Sequence, residues 1–219
     1  MTSPARRHVV RVSAQEAARK GGSYQYASAY ELMLVKLNAD RQRLRLVQSV
    51  EKKAELKKKL LPEYSPWVAG VLSHGIGHQD DVVMFIMIWR IDTGDLSGAL
   101  DIAEYALKHD LAMPTRFNRQ TACAIAEEVA EYGSRSYGAK LPVDLPLLMR
   151  ALELTDGKDM PDEVRAKLHK IIGFAERSRN NPVIALNHLT RALHLHSKCG
   201  VKKDIDGLER EIRNAAKSG

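Results

Sequence analysis

Asp80-Asp81-Val82-Val83-Met84-Phe85-Ile86-Met87-Ile88-Trp89-Arg90 is the stretch that decides the fold. Two aspartates stand where a helix start takes an anionic cap, because its first N–H groups lack partners and its dipole is positive there. Eight apolar residues then run without interruption to Arg90. Eight is far short of a membrane span. A helix that is apolar nearly all round belongs in the middle of a core, so the other helices must gather about it. Gly94-Asp95 then turns the chain into a second helix, predicted over 97–109, with Ala99, Ala103 and Ala106 on one face.

The same pattern returns in 160–198. Met160-Pro161-Asp162 opens a helix through Leu168, Ile171, Ile172 and Phe174, with Gly173 as its small residue. After a turn at Asn180-Asn181-Pro182, a second helix carries Ala185, Leu189 and Ala192. Each unit resembles a tetratricopeptide helix pair, in which small residues let antiparallel helices approach closely. The spacing of 86 residues between them is not the regular 34 of such arrays. Residues 117–132 and 144–154 read as two further helices separated by a 133–142 loop, and 201–216 reads as a terminal capping helix. Helix formers dominate and no stretch shows sustained period-two alternation. The expected fold is all-α, with a small tetratricopeptide-like bundle or solenoid over 63–219.

Charge is distributed unevenly. Residues 1–60 hold fourteen Lys/Arg against five Asp/Glu, and the remainder is nearly neutral. A field of one sign on one segment attracts polyanions. Residues 1–27 read as a basic arm with at most one short helix, capped by Ser13 and Glu16 and stopped by Gly21-Gly22. From 28 to 61 there is no Gly or Pro, which predicts one long helix of about 50 Å ended by Pro62 and Pro66. Tyr30, Met33, Leu37, Leu44, Val47 and Leu61 fall on it at coiled-coil-like steps, interrupted by Asp40 and Glu51, and are the expected oligomerisation stripe. Candidate DNA-binding residues are Arg6, Arg7, Arg11, Arg19 and Lys20 on the arm, and Arg41, Arg43, Arg45, Lys52, Lys53 and Lys57 on the helix. The organisation expected is a basic arm at 1–27, the long helix at 28–61, a central helical domain at 62–155 and a partner-docking region at 156–219. The alternative is a tetratricopeptide-like adaptor whose basic helix is merely solvated.

Catalytic constellations are weak. There is no G-x-x-x-x-G-K-[ST] phosphate loop, and Gly75-Ile76-Gly77 has no strand before it. His74 and His78 are separated by glycines that oppose a rigid two-ligand helix face, so a capped turn with Asp80 and Asp81 is the better reading. His194 and His196 point apart on a helix and, with His188 and Cys199, suit a surface role. Asp156, Asp159, Asp162 and Glu163 are the carboxylates a metal-dependent nuclease would need, yet Asp159-Met160-Pro161-Asp162-Glu163 is also an ordinary helix start. Cys123 and Cys199 match no zinc or redox spacing, and 1–11 lacks the apolar core of a secretory signal. No catalytic residue, metal site, cofactor or membrane partner is expected.

Several motifs together have the look of one family. They are Met1-Thr2-Ser3-Pro4-Ala5-Arg6-Arg7-His8, Tyr30 through Leu37, Leu60-Leu61-Pro62 with Pro66-Trp67-Val68, Gln79 through Asp95, Met160 through Lys170, Gly200-Val201-Lys202-Lys203 and Leu208-Glu209-Arg210-Glu211. In collinear order they resemble the small terminase subunits of temperate, contractile-tailed phages with cohesive DNA ends. The resemblance implies recognition of the packaging site on double-stranded phage DNA, homo-oligomerisation (commonly as a ring), and delivery of DNA to the large terminase subunit, which holds the ATPase and nuclease. It places the protein in the host cytoplasm during phage assembly. It also implies a Lys/Pro-rich tail beyond Glu211 that this sequence, ending at Gly219, does not include.

Overall fold

The structure, a computed structural model, describes residues 4–5, 8–12, 24–115 and 117–218, and at 24–28 and 218 the backbone alone. It is all-helical: no strand occurs among the described residues. The chain divides into two compact units, Met1–Thr121 and Ala122–Gly219. The expected boundaries at 61 and 155 both fall inside these units.

In the first unit α1 spans Tyr24–Leu46, α2 Val50–His74, α3 Asp81–Thr93 and α4 Leu96–Lys108. Residues 8–12 are also helical, while Ser13, Glu16 and Gly21-Gly22 lie outside the described residues. Every residue from Val82 to Trp89 is buried, as is Ile91, which makes α3 the centre of this unit. Asp80 caps α3, accepting from the Val83 N–H and from Trp67 Nε1, each at 2.9 Å. Burial pushes its carboxyl up to about 6, against the lowering effect of those bonds. Gly94 ends the helix at φ 87, a left-handed conformation that glycine adopts without a Cβ clash.

The long helix expected over 28–61 is two helices. Residues 47–49 interrupt it, and the Ser49 side chain caps α2 by accepting from the Lys52 N–H. Pro62 and Pro66, expected as breakers, lie inside α2 instead. Each removes one backbone bond, but Leu60, Tyr64, Trp67, Val68 and Val71 are buried along the same stretch, and that packing outweighs the local penalty.

The second unit contains α5 (Thr121–Gly138), α6 (Leu145–Leu154), α7 (Asp162–Ser178), α8 (Pro182–Leu195) and α9 (Lys202–Ser218). The small-residue contact expected between α7 and α8 is present: a Cβ on Gly173 would lie 2.6 Å from Leu189 and 3.2 Å from the Ala185 carbonyl. Ala185 and Leu189 also join Val201, Ile205 and Leu208 in a core that seats α9. α5 does not stop at 133 as expected. Gly133 is there for close approach, since its Cβ would lie 3.0 Å from Ile171, and the helix continues to Gly138.

Candidate nucleic-acid interface

α1 and α2 form an antiparallel hairpin. The pairings run in opposite directions along the two helices: Tyr30 stacks on Trp67 with ring centroids 6.2 Å apart, Lys36 meets Glu63 at 3.0 Å, and the Tyr64 hydroxyl donates to Asp40 at 2.8 Å. Asp40 is 4% exposed and also receives Lys36 at 2.7 Å and Arg43 at 2.9 Å. Burial alone would raise its carboxyl, but the bonds from Lys36, Tyr64 and Arg43 outweigh it and hold the group below the usual carboxylate range. Burial, together with the bond to Asp40 and that carboxylate's charge, pushes the Tyr64 hydroxyl up. This network fixes the hairpin and leaves its turn, 47–49, at one end.

Basic side chains collect at that end. Arg43 and Arg45 close α1, where cations suit the negative end of the helix dipole. Lys52 and Lys53 stand in the first turn of α2, where the dipole disfavours them. Arg45, Lys52, Lys58 and Lys59 are exposed, and none of these four, nor Lys53, is in an ion pair among the described residues. Two other candidates serve the unit itself. Arg41 is half-buried over the Phe85 ring, 4.3 Å from its centroid, and donates to Asn38; Lys57 pairs with Asp92. Arg11 is exposed beside His8. Arg6, Arg7, Arg19 and Lys20 lie outside the described residues.

The stripe expected to mediate oligomerisation faces inward. Met33, Leu37 and Leu44 are buried in the first unit, while Tyr30, Val47 and Leu61 are half-buried. What α1 turns outward is Leu32, Val35, Ala39 and Leu46. In the sequence, a stripe broken by Asp40 looks like a poor core until Tyr64, Lys36 and Arg43 are seen to satisfy that aspartate.

Among the described residues no group of three or more His, Cys, Asp or Glu is placed to hold a metal ion. Asp156 and Asp159 line a shallow cleft with Arg165 and His169, while Asp162 and Glu163 lie in the first turn of α7. Arg165 donates to the Thr155 and Lys158 carbonyls and holds that loop closed. His74 bonds Ser73 at 2.7 Å. The histidines near 190 go separate ways: His194 meets Arg191, His196 approaches Glu163 at 3.6 Å, and His188 faces His169 with their Nδ1 atoms 3.0 Å apart. No spacing in the sequence signals that last pair, which α7 and α8 create by packing.

The sequence profile of the phage small terminase subunit family matches residues 34–163, more than half of the chain. The chain belongs to this family. It is 51% identical, over 97% of its length and 87% of the relative's, to the terminase endonuclease subunit of Escherichia phage P2. Over 89% of its length it is 22% identical to the probable terminase endonuclease subunit of Haemophilus phage HP1, covering 74% of that protein. No solved structure matches the chain. In this small terminase subunit the stretch shared with the family takes in the hairpin tip, the outward-facing Val35, Ala39 and Leu46, and the whole of α3. Among the described residues no helix is long and apolar enough to cross a membrane.

Proposed function

We propose that this small terminase subunit is a non-catalytic DNA-recognition component, acting in the host cytoplasm, that binds duplex phage DNA at the packaging site through the tip of the α1–α2 hairpin. The observation that carries this is the set of exposed cations Arg43, Arg45, Lys52, Lys58 and Lys59, outside any ion pair apart from Arg43, with Lys52 and half-buried Lys53 at a helix end that disfavours positive charge. Such placement adds nothing to helix stability and is suited to phosphate contact. The arm residues Arg6, Arg7, Arg11, Arg19 and Lys20 add to the same field. Self-association as a homo-oligomer, closing into a ring, uses the outward stripe Leu32, Val35 and Ala39, whose three- and four-residue steps suit a helix from a second copy. Residues 156–219 dock the large terminase subunit, which supplies ATPase and nuclease activity.

Fluorescence anisotropy with a short duplex across a salt series tests the DNA contact. Replacing Arg45, Lys52 and Lys53 with Gln should weaken binding to every sequence and flatten the slope of log K against log salt by about 2–3. Helicity should be unchanged. An unaltered slope places the DNA elsewhere.

A further inference from the structure

Leu46 and Val50 are the most exposed large apolar side chains among the described residues, at 83% and 81%. They are the last residue of α1 and the first of α2, so they flank the 47–49 turn. Arg43 and Arg45 stand on one side of them, Lys52 and Lys53 on the other. Of the nearby carboxylates, Asp40 is buried and neutralised by Lys36 and Arg43. Glu51 is exposed in the first turn of α2, where it complements the helix dipole.

An apolar tip with Arg45, Lys52 and Lys53, none of them in an ion pair among the described residues, within three residues along the chain calls for a partner that is anionic outside and apolar within. Duplex DNA has that order: phosphate rails flank a groove, and the faces of the stacked bases lie behind it. The cations take the rails, and the two aliphatic side chains, which have no hydrogen bond to offer a phosphate, are left aimed at the base stack. We infer that Leu46 and Val50 form a wedge that enters the minor groove, opens a base step and kinks the duplex. Proteins that insert aliphatic or aromatic wedges bend DNA by roughly 20–90° and regain the unstacking cost through contacts the bend creates. This rests on the reading that the hairpin tip binds DNA. It adds that the subunit reshapes the site as well as marking it, so that part of its sequence preference comes from how easily a step opens.

The test uses the full chain and a random-sequence duplex of about 120 base pairs, shorter than the persistence length of ~150 base pairs, so that circularisation by DNA ligase is slow unless the duplex is bent. Wild-type protein should raise the yield of circles at least about tenfold. The double variant Leu46→Ala, Val50→Ala, which removes no cation, should keep an unchanged salt slope on the same duplex and, at concentrations that saturate the duplex, return circles to the protein-free level. Leu46→Met alone, which keeps an apolar point, should retain bending. Both side chains are outside the core, so circular dichroism of the double variant should match wild type. Equal bending by the double variant, or no bending by a wild-type chain that binds, overturns the wedge. A double variant that sediments as smaller species than wild type overturns it too, by assigning the tip to contact between copies. Absence of wild-type binding in the parallel anisotropy measurement instead removes the DNA reading on which the wedge rests.

Discussion

Lowering the pH from 7 to about 4.5 acts in opposite directions on two buried groups, one in each unit. His169 faces His188 across 3.0 Å, and burial, reinforced by the charges of His188, Arg191 and Arg165, lowers it from 6.5 to about 4. The unfolded chain takes up this proton near 6.5 and the folded chain does not. The stability it contributes is therefore complete above 6.5 and lost as pH falls through about 4. That displacement is worth about 3 kcal/mol in full, and roughly 2 kcal/mol after allowing for the solvent that reaches the ring. Asp80 behaves in reverse. Its folded value is raised from 3.8 to about 6, so its favourable contribution is present below 3.8 and lost as pH rises through 6. Acidification to about 4.5 should restore about 2 kcal/mol to the first unit while removing a similar amount from the second. Both tryptophans, Trp67 and Trp89, lie in the first unit, so their emission follows that unit alone, whereas far-ultraviolet circular dichroism follows both. Urea titrations should show the fluorescence midpoint moving up at acid pH while a second, dichroism-only transition moves down. Asp80→Asn should abolish the first movement, and His169→Gln with His188→Gln the second, since burial holds His188 below its ordinary value too. Movement of both transitions in one direction, or shifts that survive these substitutions undiminished, would refute the argument.

Leu37→Asp should unfold the first unit rather than dissociate an oligomer, since Leu37 is 1% exposed and a buried unpaired charge costs several kcal/mol; thermal denaturation checks this. Leu32→Asp with Val35→Asp should leave the melting temperature nearly unchanged and produce smaller species by sedimentation velocity. Gly173→Ala places a methyl 2.6 Å from Leu189 and should lower stability by about 1–3 kcal/mol in denaturant titrations. Tyr64→Phe should cost about 1–2 kcal/mol by removing one donor from buried Asp40.

Helix class and most helix ends were legible in the sequence because their signals are local. The aspartates at 80, 95 and 144 cap the helices that follow them, and the Gly173, Ala185 and Ala192 spacing brings α7 and α8 together. Apart from the break at 47–49, where the Ser49 cap is itself a local signal, the misreadings come from tertiary packing overriding a local signal. Pro62 and Pro66 read as stops until the buried face through Tyr64 and Trp67 is seen to hold α2 together. Gly133 read as a loop until Ile171 is found against it. At the candidate interface the sequence located the basic segment. It could not separate Arg41 and Lys57, held by Phe85 and Asp92, from Arg45 and Lys52, because those partners lie about 35 to 44 residues away along the chain. The His169–His188 pair is illegible for the same reason.

The burial of α3 carries a consequence for the chain before it is folded. An eight-residue run of Val, Met, Phe, Ile and Trp with no charge and no proline is, in an unfinished chain, a segment prone to pair with its own kind as β-structure and aggregate. Asp80, Asp81 and Arg90 bracket it closely. The residues that cap the native helix thus also act as gatekeepers during synthesis, discouraging such pairing until α4 emerges to cover the run.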